Sequence, residues 1–206
     1  MKALVYTDVE TLTYRDAPDP EPGAGEALIR VESVGICGSD MHAWLGHDNR
    51  RPAPLILGHE AAGTVVGGPR DGARVTINPL VTCGGCPACT SGRENLCPER
   101  QIISMPPREG AFADLLRMPE RNLIAVPDGV PLAKAALAEP LAVSWHAVRL
   151  GLAALHPSAE RRALILGGGA IGLAAALALR DGPRLRALLP APLVAGAVFL
   201  GVTAIQ

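Results

Sequence analysis

Five cysteines punctuate this 206-residue chain, and four of them crowd into one short stretch. Cys83, Cys86, Cys89 and Cys97 are spaced C-x2-C-x2-C-x7-C. Four thiolates at that spacing suit a tetrahedral Zn²⁺ with every position closed by protein, a site that supports folding rather than substrate binding. Gly84, Gly85 and Gly92 let the backbone turn tightly around an ion, and Pro87 stiffens the turn. A four-thiolate iron–sulfur cluster is the alternative chemistry, although the bacterial ferredoxin run ends with an x3 rather than an x7 gap. The fifth cysteine stands in Gly35-Ile36-Cys37-Gly38-Ser39-Asp40-Met41-His42, with Gly58-His59-Glu60 and Glu139-Pro140 farther along. Together these segments supply one sulfur, one imidazole nitrogen and carboxylate oxygens. That is the composition of a catalytic zinc site with a position left open for water or substrate. Such an ion polarises a substrate oxygen and makes an alkoxide accessible near neutral pH.

A third chemical signal is Gly167-Gly168-Gly169-Ala170-Ile171-Gly172, a G-x-G-x-x-G run after the apolar stretch Leu164-Ile165-Leu166 and before an Ala/Leu-rich helix. In that context Gly167 makes the tight turn, Gly169 lets backbone approach a pyrophosphate, and Gly172 packs helix on strand. The helix N-terminus then faces the anion. The acidic residue that would hold a ribose about twenty residues on is missing: 188–192 reads Leu-Leu-Pro-Ala-Pro, and Asp181 is the last acid in the chain.

The elements that must position these residues change character along the chain. Up to about residue 135, Gly and Pro separate short apolar runs. Ala27–Val31, Gly63–Val66 and Arg74–Ile77 read as strands of a partly open β-barrel. From Leu132 to Leu150 the pattern predicts a helix, and Arg162 to Leu166 a buried strand. Residues 187–206 carry no charge and have bilayer-spanning length, but Pro190, Pro192, Gly196 and Gly201 make a poor helix, so a membrane span is not expected. Nineteen Lys and Arg against twenty Asp and Glu give no basic surface for nucleic acid. The N-terminus lacks a signal-peptide pattern, and an odd cysteine count without one suggests reduced thiols in the cytoplasm.

The ordered motifs resemble the zinc-dependent medium-chain alcohol dehydrogenases. G-x-C-G-[ST]-D at Gly35–Asp40, Gly58-His59-Glu60, the four-cysteine run, Gly110-Ala111-Phe112-Ala113-Asp114, Val126-Pro127-Asp128-Gly129 and Ala138-Glu139-Pro140-Leu141-Ala142 carry the likeness over residues 1 to about 180. The last motif is similar to the polyol branch, which includes sorbitol, L-idonate and threonine dehydrogenases. The resemblance implies a mixed α/β chain in three parts. Residues 1–150 would form a GroES-like zinc-binding catalytic domain, 151–185 the first βα unit of a Rossmann domain, and 186–206 an atypical tail. It implies two zinc ions per chain and NAD or NADP. Cys37, His59 and Glu139 would hold the catalytic zinc, with Glu60 approaching it as water or substrate exchanges. Asp40 would orient His59, and Ser39 and His42 would pass the substrate proton to solvent. The substrate would be a small alcohol or polyol, and the full-length relatives would be homo-oligomers. With most of a dinucleotide fold missing, the expectation is a truncated dehydrogenase with impaired activity. The competing readings are a zinc-binding module without catalysis and a membrane-anchored protein.

Overall fold

The computed structural model describes residues 1–156, 158 and 162–185, with side chains as far as residue 180. The tail expected at 186–206 lies outside the described residues. Among those described, no helix is long and apolar enough to cross a membrane. The chain divides into two compact units, Met1–Ala138 and Glu139–Gln206.

The first unit is built on two main antiparallel sheets and a two-stranded antiparallel pair. Strands β1 (Lys2–Asp8), β2 (Thr11–Asp16), β3 (Glu26–Gly35), β4 (Leu55–Ile56), β5 (Glu60–Val66) and β6 (Arg74–Ile77) come first in the chain. They are followed by β7 (Leu80–Val81), β8 (Gln101–Ile102), β9 (Leu115–Pro119) and β10 (Leu123–Ala125). The larger sheet has the order β10-β6-β5-β3-β9, the smaller β2-β1-β4, and β7 pairs with β8. An isolated bridge between Ala3 and Ala113, with Leu4 N–H donating to the Phe112 carbonyl, ties the smaller sheet to the segment leading into β9. This is the partly open barrel that the spaced apolar runs predict, and all three sequence-read strands fall inside β3, β5 and β6. With so few aromatic residues, the core is aliphatic: Ile29, Val65, Val75, Ile77, Ile103 and Met118 are almost fully enclosed. Central strand β5 is buried along most of its length and uses Ala61, Ala62 and Gly63 where neighbouring strands press close. A side chain at Gly63 would run into the Arg30 carbonyl of β3.

Helix α1 (Gly38–Trp44) follows β3 and ends in a defined way. Gly46, at φ +73°, donates its N–H to Ala43, and His47 N–H returns to the His42 carbonyl, both at 2.9 Å. These two bonds are the Schellman arrangement, which needs the left-handed residue that glycine supplies. The loop beyond is pinned by Arg51, which is 4% exposed. Its guanidinium donates to Asp48 at 2.6 Å and to the Ser104 carbonyl at 2.9 Å. Ser104 itself is fully buried at φ +62°, and its hydroxyl has no hydrogen-bond partner.

The helix expected from Leu132 to Leu150 is two helices, α3 (Leu132–Ala135) and α4 (Ala138–Ala154). Pro140 explains the break. One continuous helix would place its ring against the Ala136 carbonyl four residues back, whereas a fresh start at Ala138 puts it in a first turn that needs no N–H. In the second unit, Val148 of α4 packs against Ala175 and Ala178 of α5 (Ala170–Leu185). The buried strand predicted at 162–166 is not formed: this stretch is irregular, and Leu164 and Leu166 are 61% and 86% exposed. A strand exists only by pairing, and the described residues of this unit hold no second strand to pair with.

Candidate metal centres

Register brings the first site together. In the β3–β5 pairing Gly35 lies opposite Glu60. Cys37, two residues past the end of β3, and His59, one residue before β5, therefore meet at the same end of the sheet. One ligand atom from each of Cys37, His59 and Glu60 lies within 4.8 Å of the others. His59 and Glu60 are buried and Cys37 is half-buried. Two glycines make room. A side chain at Gly35 would overlap the Glu60 carboxylate. Gly58, at φ +90°, leaves the space that the Phe112 ring occupies, 2.7 Å from where a Cβ would sit.

Asp40 organises the cluster from beneath. It is 3% exposed. One carboxylate oxygen accepts the Cys37 N–H at 2.9 Å, and the other accepts the Gly58 N–H at 3.1 Å. The second oxygen also stands 3.6 Å from His59 Nδ1. Beyond its place beside His59, Asp40 fixes the backbone of both ligand-bearing segments. Burial pushes the Asp40 carboxyl up, yet the His59 imidazole and the two N–H donors hold it below its ordinary value. The hydrogen bond from His59, with help from Ser39, lowers the Cys37 thiol despite its burial. Burial raises the Glu60 carboxyl. Ser39 is half-buried next to Cys37, while His42 is exposed on the last turn of α1. Glu139 is buried in the first turn of α4 and belongs to the second unit. One thiol, one imidazole and a carboxylate suit a borderline cation such as Zn²⁺, so this donor set fits the metal inferred from sequence.

The second centre lies between β7 and β8. Cys83, Cys86, Cys89 and Cys97 converge, with Sγ separations of 3.9 Å (Cys83–Cys89), 3.5 Å (Cys86–Cys89) and 3.6 Å (Cys83–Cys97). Those spacings match the edges of a tetrahedron around an ion about 2.3 Å from each sulfur. The short helix α2 (Pro87–Thr90) starts at Cys86 and carries Cys89, with Pro87 at its first position, where no N–H is needed. The N–H groups of Gly85 and Cys86 hold the Cys83 thiol down at about 7. The Cys89 backbone favours a Cys86 thiolate, but burial and the neighbouring thiols outweigh it and push that group up to about 11. Without a cation, one thiolate resists the next. Asn122 closes the base of the lobe by donating to the Asn78 and Leu80 carbonyls at 2.8 and 2.7 Å.

In the second unit, Gly167 takes φ +106°, and open space surrounds Gly167, Gly168 and Gly169. A side chain at Gly172 would strike the Gly167 carbonyl, so this glycine packs α5 against its own loop. The bare backbone at the start of a sixteen-residue helix fits a pyrophosphate, although the strand that ordinarily precedes such a loop is absent here.

Residues 23–128 match the alcohol dehydrogenase GroES-like domain. The chain belongs to that family. Among curated relatives, the L-galactonate-5-dehydrogenase of Escherichia coli K12 is 41% identical over 189 residues, covering 88% of this chain and 54% of the relative. The sorbitol dehydrogenase of Bacillus subtilis 168 is 38% identical, covering 87% and 52%. A crystal structure of the short chain alcohol dehydrogenase RspB from E. coli CFT073, complexed with NADH, superposes with a TM-score of 0.77 at 28% identity. It covers 90% of this chain and 55% of its own. The chain thus spans about half the length of the relatives it matches. Within this alcohol dehydrogenase family, the motif residues Cys37, His59 and Glu60 are those that the fold gathers at one point.

Proposed function

We propose that the protein is a zinc-dependent, NAD(P)-linked oxidoreductase acting on a secondary alcohol of a polyol or sugar acid in the cytoplasm. The convergence of Cys37, His59 and Glu60 carries this reading. When bound there, Zn²⁺ supplies Lewis-acid polarisation of the substrate hydroxyl. Cys37 and His59 hold the ion, and Asp40 keeps both ligand segments in register. Glu60 is close enough to serve as a carboxylate ligand, and Glu139 is assigned as a further donor on its motif alone. Ser39 Oγ would take the substrate's hydroxyl proton as it passes its own on toward the exposed imidazole of His42, which would release a proton to solvent. Gly167, Gly169 and the start of α5 receive the pyrophosphate of NAD or NADP, and Gly172 holds the loop against the helix. Residues 151–185 are on this reading the beginning of a Rossmann domain. A second zinc on Cys83, Cys86, Cys89 and Cys97 stabilises the lobe, since its binding energy is also folding energy.

Elemental analysis tests the metal assignment. The expected content is two zinc ions per chain, falling to one in Cys37→Ser and to one in Cys89→Ser, with reduced stability in the latter. No more than one tightly bound metal in the well-folded parent protein would refute the first site. The unpaired stretch 162–168 favours a second reading, a zinc-binding module that does not turn over. An NAD- and NADP-linked assay with sorbitol, L-idonate and threonine on zinc-loaded protein separates the two.

A further inference from the structure

The C-terminus of α1 holds two imidazoles that belong to neither ligand group. His42 is the third residue from the end of the helix and His47 the second beyond its cap. The Schellman bonds from Gly46 to Ala43 and from His47 to His42 bring these two positions side by side. Both side chains are exposed, with ring centroids 6.3 Å apart and planes inclined by 45°. Two imidazoles sharing one cation, each nitrogen about 2.0–2.1 Å from it, stand with centroids roughly 4.5–5.2 Å apart at octahedral or tetrahedral angles. The exposed rings would have to turn toward each other by roughly 1–2 Å to share an ion. The backbone is already fixed, so little ordering remains to oppose binding. Asp48, next to His47 in sequence, is engaged by Arg50 and Arg51 and is not a free donor for the pair. Imidazole pairs select borderline divalent transition ions over Mg²⁺ and Ca²⁺, which prefer oxygen.

We propose that His42 and His47 form a separate surface site for a divalent transition metal such as Ni²⁺, Cu²⁺ or excess Zn²⁺. The remaining coordination positions are filled by water. Occupancy withholds His42 from proton transfer, a consequence that rests on the functional reading above, whereas binding itself does not. The site depends on the turn as much as on the two rings, because only a left-handed residue at position 46 closes the Schellman bonds.

The test is calorimetric titration of Ni²⁺ alone into the zinc-loaded 206-residue protein, in which the thiolate centres are already filled. One saturable site is expected. Its affinity should fall at least about tenfold in His47→Ala and in His42→Ala, and stay unchanged in His156→Ala, which removes a histidine from another part of the chain. Gly46→Ala, which disfavours the left-handed turn while keeping both rings, should weaken binding to an intermediate degree. Absence of saturable Ni²⁺ binding, or equal binding by His47→Ala and the parent, overturns the proposal.

Discussion

Replacing Asp40 with Ala should damage the first unit more than any other single polar substitution near the site. The carboxylate is 3% exposed and accepts two backbone N–H groups, from Cys37 at 2.9 Å and Gly58 at 3.1 Å. Hydrogen bonds to a charged partner contribute about 1.5–3 kcal/mol each, and a buried donor left unmet costs about 1–3 kcal/mol. The Gly58 N–H is buried, while the Cys37 N–H is only partly so, which limits the second loss. Together they put the cost at about 3–4 kcal/mol, a large share of the ~5–15 kcal/mol that holds a domain together. Asp40→Asn keeps one acceptor oxygen but turns an amide toward the other N–H, so about half that loss is expected. Because both ligand-bearing segments loosen, zinc affinity at Cys37 and His59 should drop by roughly 10–100-fold. Urea unfolding in a Trp145→Phe background leaves Trp44, packed against the Tyr6–Leu57 cluster, as the reporter of the first unit. Competition with a chromophoric chelator reads the metal affinity. A loss below about 1 kcal/mol in Asp40→Ala, with zinc retained as in the parent, would refute the claim that this side chain holds the two segments together.

Two further outcomes are expected. Ser104→Gly should stabilise the first unit by about 1 kcal/mol, since it relieves a left-handed non-glycine residue and an unmet buried hydroxyl, against about 0.5–1 kcal/mol of added chain entropy. The urea midpoint checks it, and Ser104→Ala should gain less. The Arg50 guanidinium, aided by Arg51, holds the Asp48 carboxyl down at about 2 against an ordinary 3.8. A carboxyl lowered by folding adds stability above its unfolded value and loses it as pH falls through the folded one. The stability gap between the parent and Asp48→Asn should therefore be full above pH 3.8 and close as the pH drops toward 2.

Much of the site was legible because its residues are chemically rare and their spacing is local. The four cysteines lie within one lobe, and Cys37 and His59 each sit in a glycine-flanked motif at a strand end. The strands β3, β5 and β6 announced themselves through short apolar runs between turn residues. What was not legible depends on partners distant in sequence. Asp40 could be read as a support for His59, and its acceptance from Cys37 is a local contact at the start of α1, but its acceptance from Gly58, 18 residues on, follows from the β3–β5 register. The buried Arg51–Ser104 link joins positions 53 residues apart and leaves no pattern in either segment. The failed strand at 162–166 has the right composition, but composition cannot supply a neighbour to pair with. The divided helix was open to a better reading, since Pro140 was in plain view and its missing N–H suits a first turn alone.

The β3–β5 ladder carries one irregularity with a long reach. Val31 faces Gly63, but Ser33 faces Ala62, so Glu32 is an extra residue on β3. Beyond that bulge the strand runs on to Gly35 and the cysteine motif with its phase shifted by one. The bulge takes up that extra residue: without Glu32, Ser33, Val34 and Gly35 would still lie opposite Ala62, Ala61 and Glu60, and Cys37 would still reach His59. The pairing that sets the site therefore survives the loss of one residue at the bulge, whereas a loss after Gly35, where no ladder remains to absorb it, would move Cys37 relative to His59. A lineage carrying this metal centre can therefore lose the codon for Glu32 and keep its ligands together, while an in-frame loss between Gly35 and Cys37 would separate them without altering any of them.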